Sequence, residues 1–328
     1  MANGINDIDK YLCMRKIVLL FVAMVQSCFA LSAQDVVCDT YHFATHDGQE
    51  LYLDRYMLDD AADAPRPCMI FAFGGGFVQG VRDHEYYSIF FERLAREGIV
   101  VVSIDYRLGL KGLNPNGGVT AMIEAFQNAV NIAVEDMYAA TNYVIANAEK
   151  WGVDTTKIMI SGSSAGAITA VQAEWMRCNG AERAKVLPEG FRYAGVVSCA
   201  GAIFSVSGKP KFKTAPAPMM LCHGTSDRNV PYDHAAMFGV GFFGSAYIVK
   251  QLERLDAHYW FYSVEYADHR IAGTPYIYNC DLIMQFINDF VVRGERLQIR
   301  TDVVDLEAEK QPTRFKARDY IRTNYKRK

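Results

Sequence analysis

From Cys68 to Asp268 short apolar runs alternate with helical stretches, and this alternation narrows the fold more than any other feature of the chain. The runs "CMIFAF", "IVVVSIDY", "KIMISG", "YAGVVSCAG", "PMMLCHG" and "YWFYSVEYAD" have the length of strands and are largely apolar. A strand that is apolar on both sides must be covered on both faces, which is the condition inside a parallel sheet. Between the runs lie segments with helical spacing. One is near His84 to Glu97, with Ile89, Phe90, Leu94 and Ala95 on a common face; a long one runs from about Val119 to Lys150 and another from about Ser164 to Arg177. Two more fall near Ala246 to Ala257 and Asp281 to Val292. The sequence therefore predicts an α/β fold, a mostly parallel central sheet with helices on both faces. Ahead of it, "VVCDTYHFA" and "QELYLDRYML", separated by "THDG", read as an antiparallel strand pair.

No repeat, low-complexity segment or linker interrupts this pattern, so one domain is expected over residues 34–300. With 328 residues, 51% of them hydrophobic, the chain can bury a large core. The formal net charge of -3 leaves no electrostatic footprint for nucleic acid. Eight cysteines are scattered without a C-x-x-C pair, which argues against a zinc site and against a disulfide scaffold. Neither a metal nor an organic cofactor is expected. Cys68, Cys199 and Cys222 fall in strand runs and read as buried apolar residues. At the N-terminus, Arg15-Lys16, the apolar stretch "IVLLFVAMV" and the small residues up to "FALSAQ" form the three-part pattern of a secretory signal, residues 1–33, with a start at Met14 and cleavage near Ala33. The apolar stretch falls short of the roughly 20 residues that span a bilayer, so no stable membrane span is expected. "VQSC" resembles a lipoprotein cleavage box, but Gln26 fits one poorly. The mature protein is expected to be periplasmic or secreted. Residues 301–328 read as a C-terminal tail that is basic from about Lys310, where Arg314, Lys316, Arg318, Arg322, Lys326, Arg327 and Lys328 are opposed only by Asp319. Nothing in the sequence bears on oligomeric state.

In a parallel sheet chemistry gathers at the carboxyl ends of the strands, which directs attention to the loops after Phe73, Ile160, Cys222 and Tyr266. The second contains Gly162-Ser163-Ser164-Ala165-Gly166, a G-x-S-x-G between a strand and a helix. Small neighbours there let the middle hydroxyl stand clear of a tight turn, and the helix N-terminus favours developing negative charge. Ser164 is singled out, while Ser161 is expected to end the strand and Ser163 to fill the turn. The first loop, Gly74-Gly75-Gly76-Phe77, leaves backbone N–H groups unobstructed for an oxyanion. A phosphate-loop reading fails on spacing, because G-x-G-x-x-G from Gly74 meets Gln79. The third and fourth loops supply Asp227 and His269. A serine becomes nucleophilic when an imidazole accepts its proton, and the imidazole works best when a carboxylate fixes its tautomer. Ser164, Asp227 and His269 are the candidate catalytic residues. Asp268 is disfavoured, because neighbouring side chains seldom face one another suitably. The N–H groups of Gly75, Gly76 and Ala165 are the candidate oxyanion donors. Phe77, with Phe242 and Phe243 of "MFGVGFFG", are candidates for substrate contact. The connection from Ala202 to Pro218 is too short to hold a large lid.

Taken together, "FGGGF" (73–77), "DYRLG" (105–109), "GSSAG" (162–166), "HGTSD" (223–227) and "DH" (268–269) resemble the α/β-hydrolase family. Within it they are most similar to the esterases and lipases with a glycine-rich, HGGG-like oxyanion loop. The resemblance spans most of the chain from about Pro65 to Gly294. It implies the α/β-hydrolase fold without a large lid domain, a Ser164–His269–Asp227 triad, and carboxylic ester hydrolysis through an acyl-enzyme. The chain departs from the pattern at Phe73, where the family usually has a histidine that helps hold the loop. Export and the short connection point to a serine esterase acting on small-molecule or carbohydrate esters, removing acetyl or feruloyl groups. Two other readings stay open: a lipase-like esterase on short-chain acyl lipids, and a non-catalytic binding protein on the same fold.

Overall fold

The computed structural model describes residues 35–60, 64–113 and 118–315; the expected secretory signal and residues 316–328 of the basic tail lie outside them. The described chain opens with a hairpin of β1 (Val36–His46) and β2 (Gln49–Leu58). Its turn residues Asp47 and Gly48 both have positive φ, 52° and 76°, the handedness that matches the twist of paired strands. β3 (Arg66–Ala72), β4 (Val100–Ile104), β5 (Val153–Ser163) and β6 (Gly195–Cys199) follow. The short β7 (Ala202–Ser205) leaves this sheet, and β8 (Met219–Gly224) returns to it. β9 (His234–Met237) and β10 (Val240–Gly244) join β7 in a separate three-stranded sheet. β11 (Tyr259–Val264) and β12 (Gln298–Val303) complete the main sheet.

Among the described residues the main sheet has nine strands in the order β1-β2-β4-β3-β5-β6-β8-β11-β12. β2 runs antiparallel to both neighbours, and the remaining pairs are parallel. β4, β6 and β8 are buried at every residue, as their unbroken apolar runs require. The principal helices are α1 (Glu85–Arg96), α2 (Gly118–Ala146), α3 (Ala165–Cys178), α4 (Ser245–Arg254) and α5 (Cys280–Phe286), the last continuing as a π-helical turn to Val292. α1 buries Phe90, Phe91, Leu94 and Ala95, whereas Ile89 is exposed. The buried face of α1 is thus rotated from the expected one, because Phe91 packs against Phe71 and Tyr56 of the sheet.

The order of strands creates the site. From β3 the chain crosses through α1 to β4 on one side, then through α2 to β5 on the other side of β3. Right-handed crossovers in opposite directions set α1 and α2 on opposite faces, and the loops leaving β3 and β5 diverge. A crevice opens between them at the carboxyl ends.

Two features depart from the sequence reading. The main sheet continues past residue 300, because β12 pairs with β11 through Val303. Trp260 Nε1 donates to Thr301 Oγ1 at 3.0 Å, and Ser226 Oγ reaches Gln311 O at 3.3 Å, so residues expected in a tail are bound to the domain. Residues 237–244, the segment that holds the candidate contacts Phe242 and Phe243, form most of the β9–β10 hairpin. The segment after β6 carries no large insertion: Phe204 N donates to Gln172 Oε1 at 3.0 Å and fastens β7 to α3.

Candidate active site

β5 extends through Ser163, two residues beyond Ser161, where the strand is expected to end, and Ser164 follows with φ 52° and ψ -112°. A non-glycine residue in that region is strained and persists only where its surroundings hold it. Here Ser164 N donates to Cys199 O and Ile168 N to Ser164 O, each at 2.9 Å. The glycines permit the approach that causes the strain. A Cβ on Gly166 would lie 2.0 Å from Ala72 O, and one on Gly162 would lie 2.3 Å from Gly166 C. The N-terminus of α3 is pressed against the end of β3, and the serine is pushed outward. Ser161 is buried beside Tyr276 Oη at 3.2 Å, and Tyr276 also donates to Gly162 O at 2.7 Å. Of the three serines it is Ser164 whose hydroxyl meets an imidazole.

β8 and β11 are adjacent and parallel, so their carboxyl-end loops emerge side by side. Ser164 Oγ lies 2.8 Å from His269 Nε2, and His269 Nδ1 lies 2.7 Å from Asp227 Oδ2. The other oxygen of Asp227 accepts the N–H groups of Asn229 at 2.8 Å and Val230 at 3.0 Å. Burial pushes this carboxyl up, but the charge of His269 and hydrogen bonds from His223 and His269 outweigh it and hold the group well below the ordinary carboxylate range. An ionised Asp227 accepts a hydrogen bond from Nδ1–H, which fixes that tautomer and leaves Nε2 unprotonated, free to accept the proton of Ser164. Asp268 faces elsewhere: it accepts Arg270 N at 3.0 Å and pairs with Arg270 Nε at 2.9 Å.

His223 opens the "HGTSD" pattern at the end of β8. It is fully buried behind Asp227, with Nε2 3.2 Å from Val230 O and 3.5 Å from Asp227 Oδ2, and Nδ1 2.8 Å from Ser245 Oγ. A carbonyl only accepts, so Nε2 carries the proton and adds a second donor behind the carboxylate.

The glycine loop is held without the usual histidine. The ring of Phe73 stacks on Tyr106 at 4.5 Å and 29°, and Tyr106 Oη donates to Phe73 O at 2.8 Å. Gly75 has φ 131°, and a Cβ there would lie 1.8 Å from Gln79 O. The next motif residue, Arg107, is buried, with N and Nε on Asp136 at 2.7 and 3.0 Å. His46 Nδ1 adds a contact of 2.7 Å to the same carboxylate. This network ties the 105–109 loop to α2 and to the first hairpin. Among the described residues, the N–H groups of Gly75, Gly76 and Ala165 enter none of the backbone hydrogen bonds between loops.

Two cavities meet at Ser164. An open cleft of about 1130 Å³ is lined by the glycine loop, His269, Arg270, Tyr86 and Tyr278. A cavity of about 20 Å³ lies beside Gly76, Ser164 and Ala165 and is walled by Phe77, Phe126, Ile168, Asn229, Val230 and Phe242. Phe77 and Phe242 therefore line it, but Phe243 does not. Successive strand residues point to opposite faces, and Phe243 turns into the core, fully buried against Tyr247 at 4.8 Å. Phe126 and Asn229 escaped the sequence reading. Among the described residues no cluster of three His, Cys, Asp or Glu side chains is placed to hold a metal ion, and no helix is long and apolar enough to cross a membrane.

Residues 53–180 match the BD-FAE family, a span that carries the glycine loop and Ser164. Fumonisin B1 esterase of Sphingopyxis macrogoltabida is 34% identical over 119 residues, 36% of this chain and 21% of that protein. Esterase LipC of Mycobacterium tuberculosis is 30% identical over 138 residues, 42% of this chain and 30% of that protein. The matches thus take in only a fifth to three tenths of the length of these curated relatives. Among solved structures, a thermophilic esterase of Thermogutta terrifontis with propionate bound aligns with a TM-score of 0.58 at 21% identity, covering 80% of this chain and 96% of that one. The chain thus has the α/β-hydrolase fold, residues 53–180 of it match the BD-FAE family, and the relatives that it resembles over part of their length are esterases.

Proposed function

We propose that the protein is an exported serine carboxylesterase that hydrolyses carboxylic esters through an acyl-enzyme on Ser164. The observation that carries this reading is the continuous hydrogen-bonded line from Ser164 Oγ through His269 to Asp227, at 2.8 and 2.7 Å. In the proposed reaction His269 Nε2 takes the proton of Ser164 as Oγ attacks the ester carbonyl, and Asp227 stabilises the imidazolium. The N–H groups of Gly75, Gly76 and Ala165 receive the oxyanion, each contributing about 3 kcal/mol to the transition state. On collapse His269 returns the proton to the departing alcohol. Water then attacks the acyl group by the same route, and the acid leaves. The signal-like pattern of residues 1–33 supports delivery to the periplasm or the medium. The breadth of the cleft and its exposed Tyr278 and half-exposed Tyr86 support a bulky alcohol, for which an acylated carbohydrate is the proposed class.

The test is hydrolysis of p-nitrophenyl acetate by the purified mature protein and by Ser164→Ala, with release of acid from acylated xylan measured in parallel. Turnover is expected in the wild type alone, with the variant keeping its melting temperature. Undiminished turnover by Ser164→Ala would refute the assignment.

A further inference from the structure

The chemistry assigns a side to each half of the ester. His269 must protonate the departing oxygen, so the alcohol lies on the side of Ser164 where His269 stands. That side is the open cleft, which His269 lines. The small cavity has no contact with His269 and begins at Gly76 and Ala165, whose N–H groups the proposed reaction turns toward the carbonyl oxygen. The acyl chain, on the far side of the carbonyl carbon from the alcohol, enters there. Resting on the esterase reading, we infer that this cavity is the acyl pocket, and that Phe126 and Phe242 set its depth so that the enzyme accepts acetyl and propionyl groups and excludes longer or aromatic acyl chains.

The size of the cavity supports the limit. It is about 20 Å³ against about 1130 Å³ for the cleft on the other side of Ser164, so the short, slim half of the ester is the one it takes. The end wall is not a mobile loop. Phe126 comes from α2 and Phe242 from β10, with ring centroids 5.5 Å apart at 89°. Phe204 of β7 backs both, at 6.0 Å from Phe126 and 4.8 Å from Phe242. Three elements from distant parts of the chain thus interlock, and a longer acyl chain enters only by displacing packed rings. Under this assignment the carbohydrate reading narrows from acetyl or feruloyl groups to acetyl.

The experiment is a series of p-nitrophenyl acetate, propionate, butyrate and hexanoate, with methyl ferulate, assayed on wild type, Phe242→Ala, Phe242→Leu and Ser164→Ala. Wild-type kcat/KM is expected to be highest for acetate or propionate and to fall at least about tenfold for each step that overfills the pocket. Phe242→Ala is expected to raise the hexanoate-to-acetate ratio at least about tenfold, and Phe242→Leu to raise it less. If Phe242→Ala does not fold, the wild-type profile and Phe242→Leu carry the test. A flat or rising wild-type profile, cleavage of methyl ferulate as fast as acetate, or an unchanged ratio in the variants overturns the pocket assignment. Absence of any Ser164-dependent turnover overturns the esterase reading itself, which separates the two failures.

Discussion

An asparagine at position 227 probes the site through a single atom. In the structure Asp227 Oδ1 accepts N–H groups from Asn229 at 2.8 Å and Val230 at 3.0 Å. An amide at this position must therefore keep its oxygen on those donors, because the alternative turns an NH₂ group against two N–H groups. The NH₂ then replaces Oδ2, 2.7 Å from His269 Nδ1. Facing a donor, the imidazole presents a bare Nδ1 and carries its proton on Nε2. That N–H points at Ser164 Oγ, 2.8 Å away, and cannot take the serine proton. The side chains stay in place while the base is lost. The expected fall in kcat is about 10⁴-fold, or about 5.5 kcal/mol of transition-state stabilisation. Initial rates on p-nitrophenyl acetate would be compared for wild type, Asp227→Asn and Asp268→Asn, with melting temperatures to establish that each is folded. Asp268→Asn is expected to stay within a few-fold of wild type. Retention of more than about a tenth of wild-type kcat by Asp227→Asn, or transfer of the loss to Asp268→Asn, would refute the tautomer argument.

The support of the glycine loop and the acid behaviour of the protein can be tested on the same material. Tyr106→Phe keeps the stack on Phe73 but removes the hydroxyl that donates to Phe73 O; both residues are buried, so the carbonyl loses that partner with no water to replace it. The expected cost is about 1–3 kcal/mol, with a melting temperature lower by about 2–4 °C per kcal/mol in a domain of this size. An unchanged melting curve would mean that another donor replaces the hydroxyl. For pH, the Asp227 carboxyl is held below its unfolded value. Its contribution to stability is therefore complete above about pH 4 and is lost as pH falls toward the folded value. The difference in melting temperature between wild type and Asp227→Asn should shrink through the acid range, and a gap that stays constant would contradict the linkage.

What was legible in the sequence is what local rules encode. Continuous apolar runs at β3, β4, β5, β6 and β8 follow from burial on both faces, so the parallel sheet could be read without coordinates. The small residues around Ser164 answer to the close approach of α3 to β3 and mark the turn in the same way. β12 was hidden because "QIRTDV" is an edge strand with one half-buried side, and it carries no apolar run. Phe242 and Phe243 look equivalent as letters, yet pairing of β10 with β7 sends one to the cavity and the other to the core. The choice between Asp227 and Asp268 was argued from sequence, but the contact with His269 depends on β8 lying beside β11. Phe126 lies 38 residues before Ser164, in a helix whose spacing reports only that one face is buried. Sequence by itself determined the sheet, the strand-end loops and the residue types suited to acyl transfer, because these depend on neighbours along the chain. Tertiary structure alone decided which side chains close the cavity, because that depends on where crossovers from three distant segments bring their faces together.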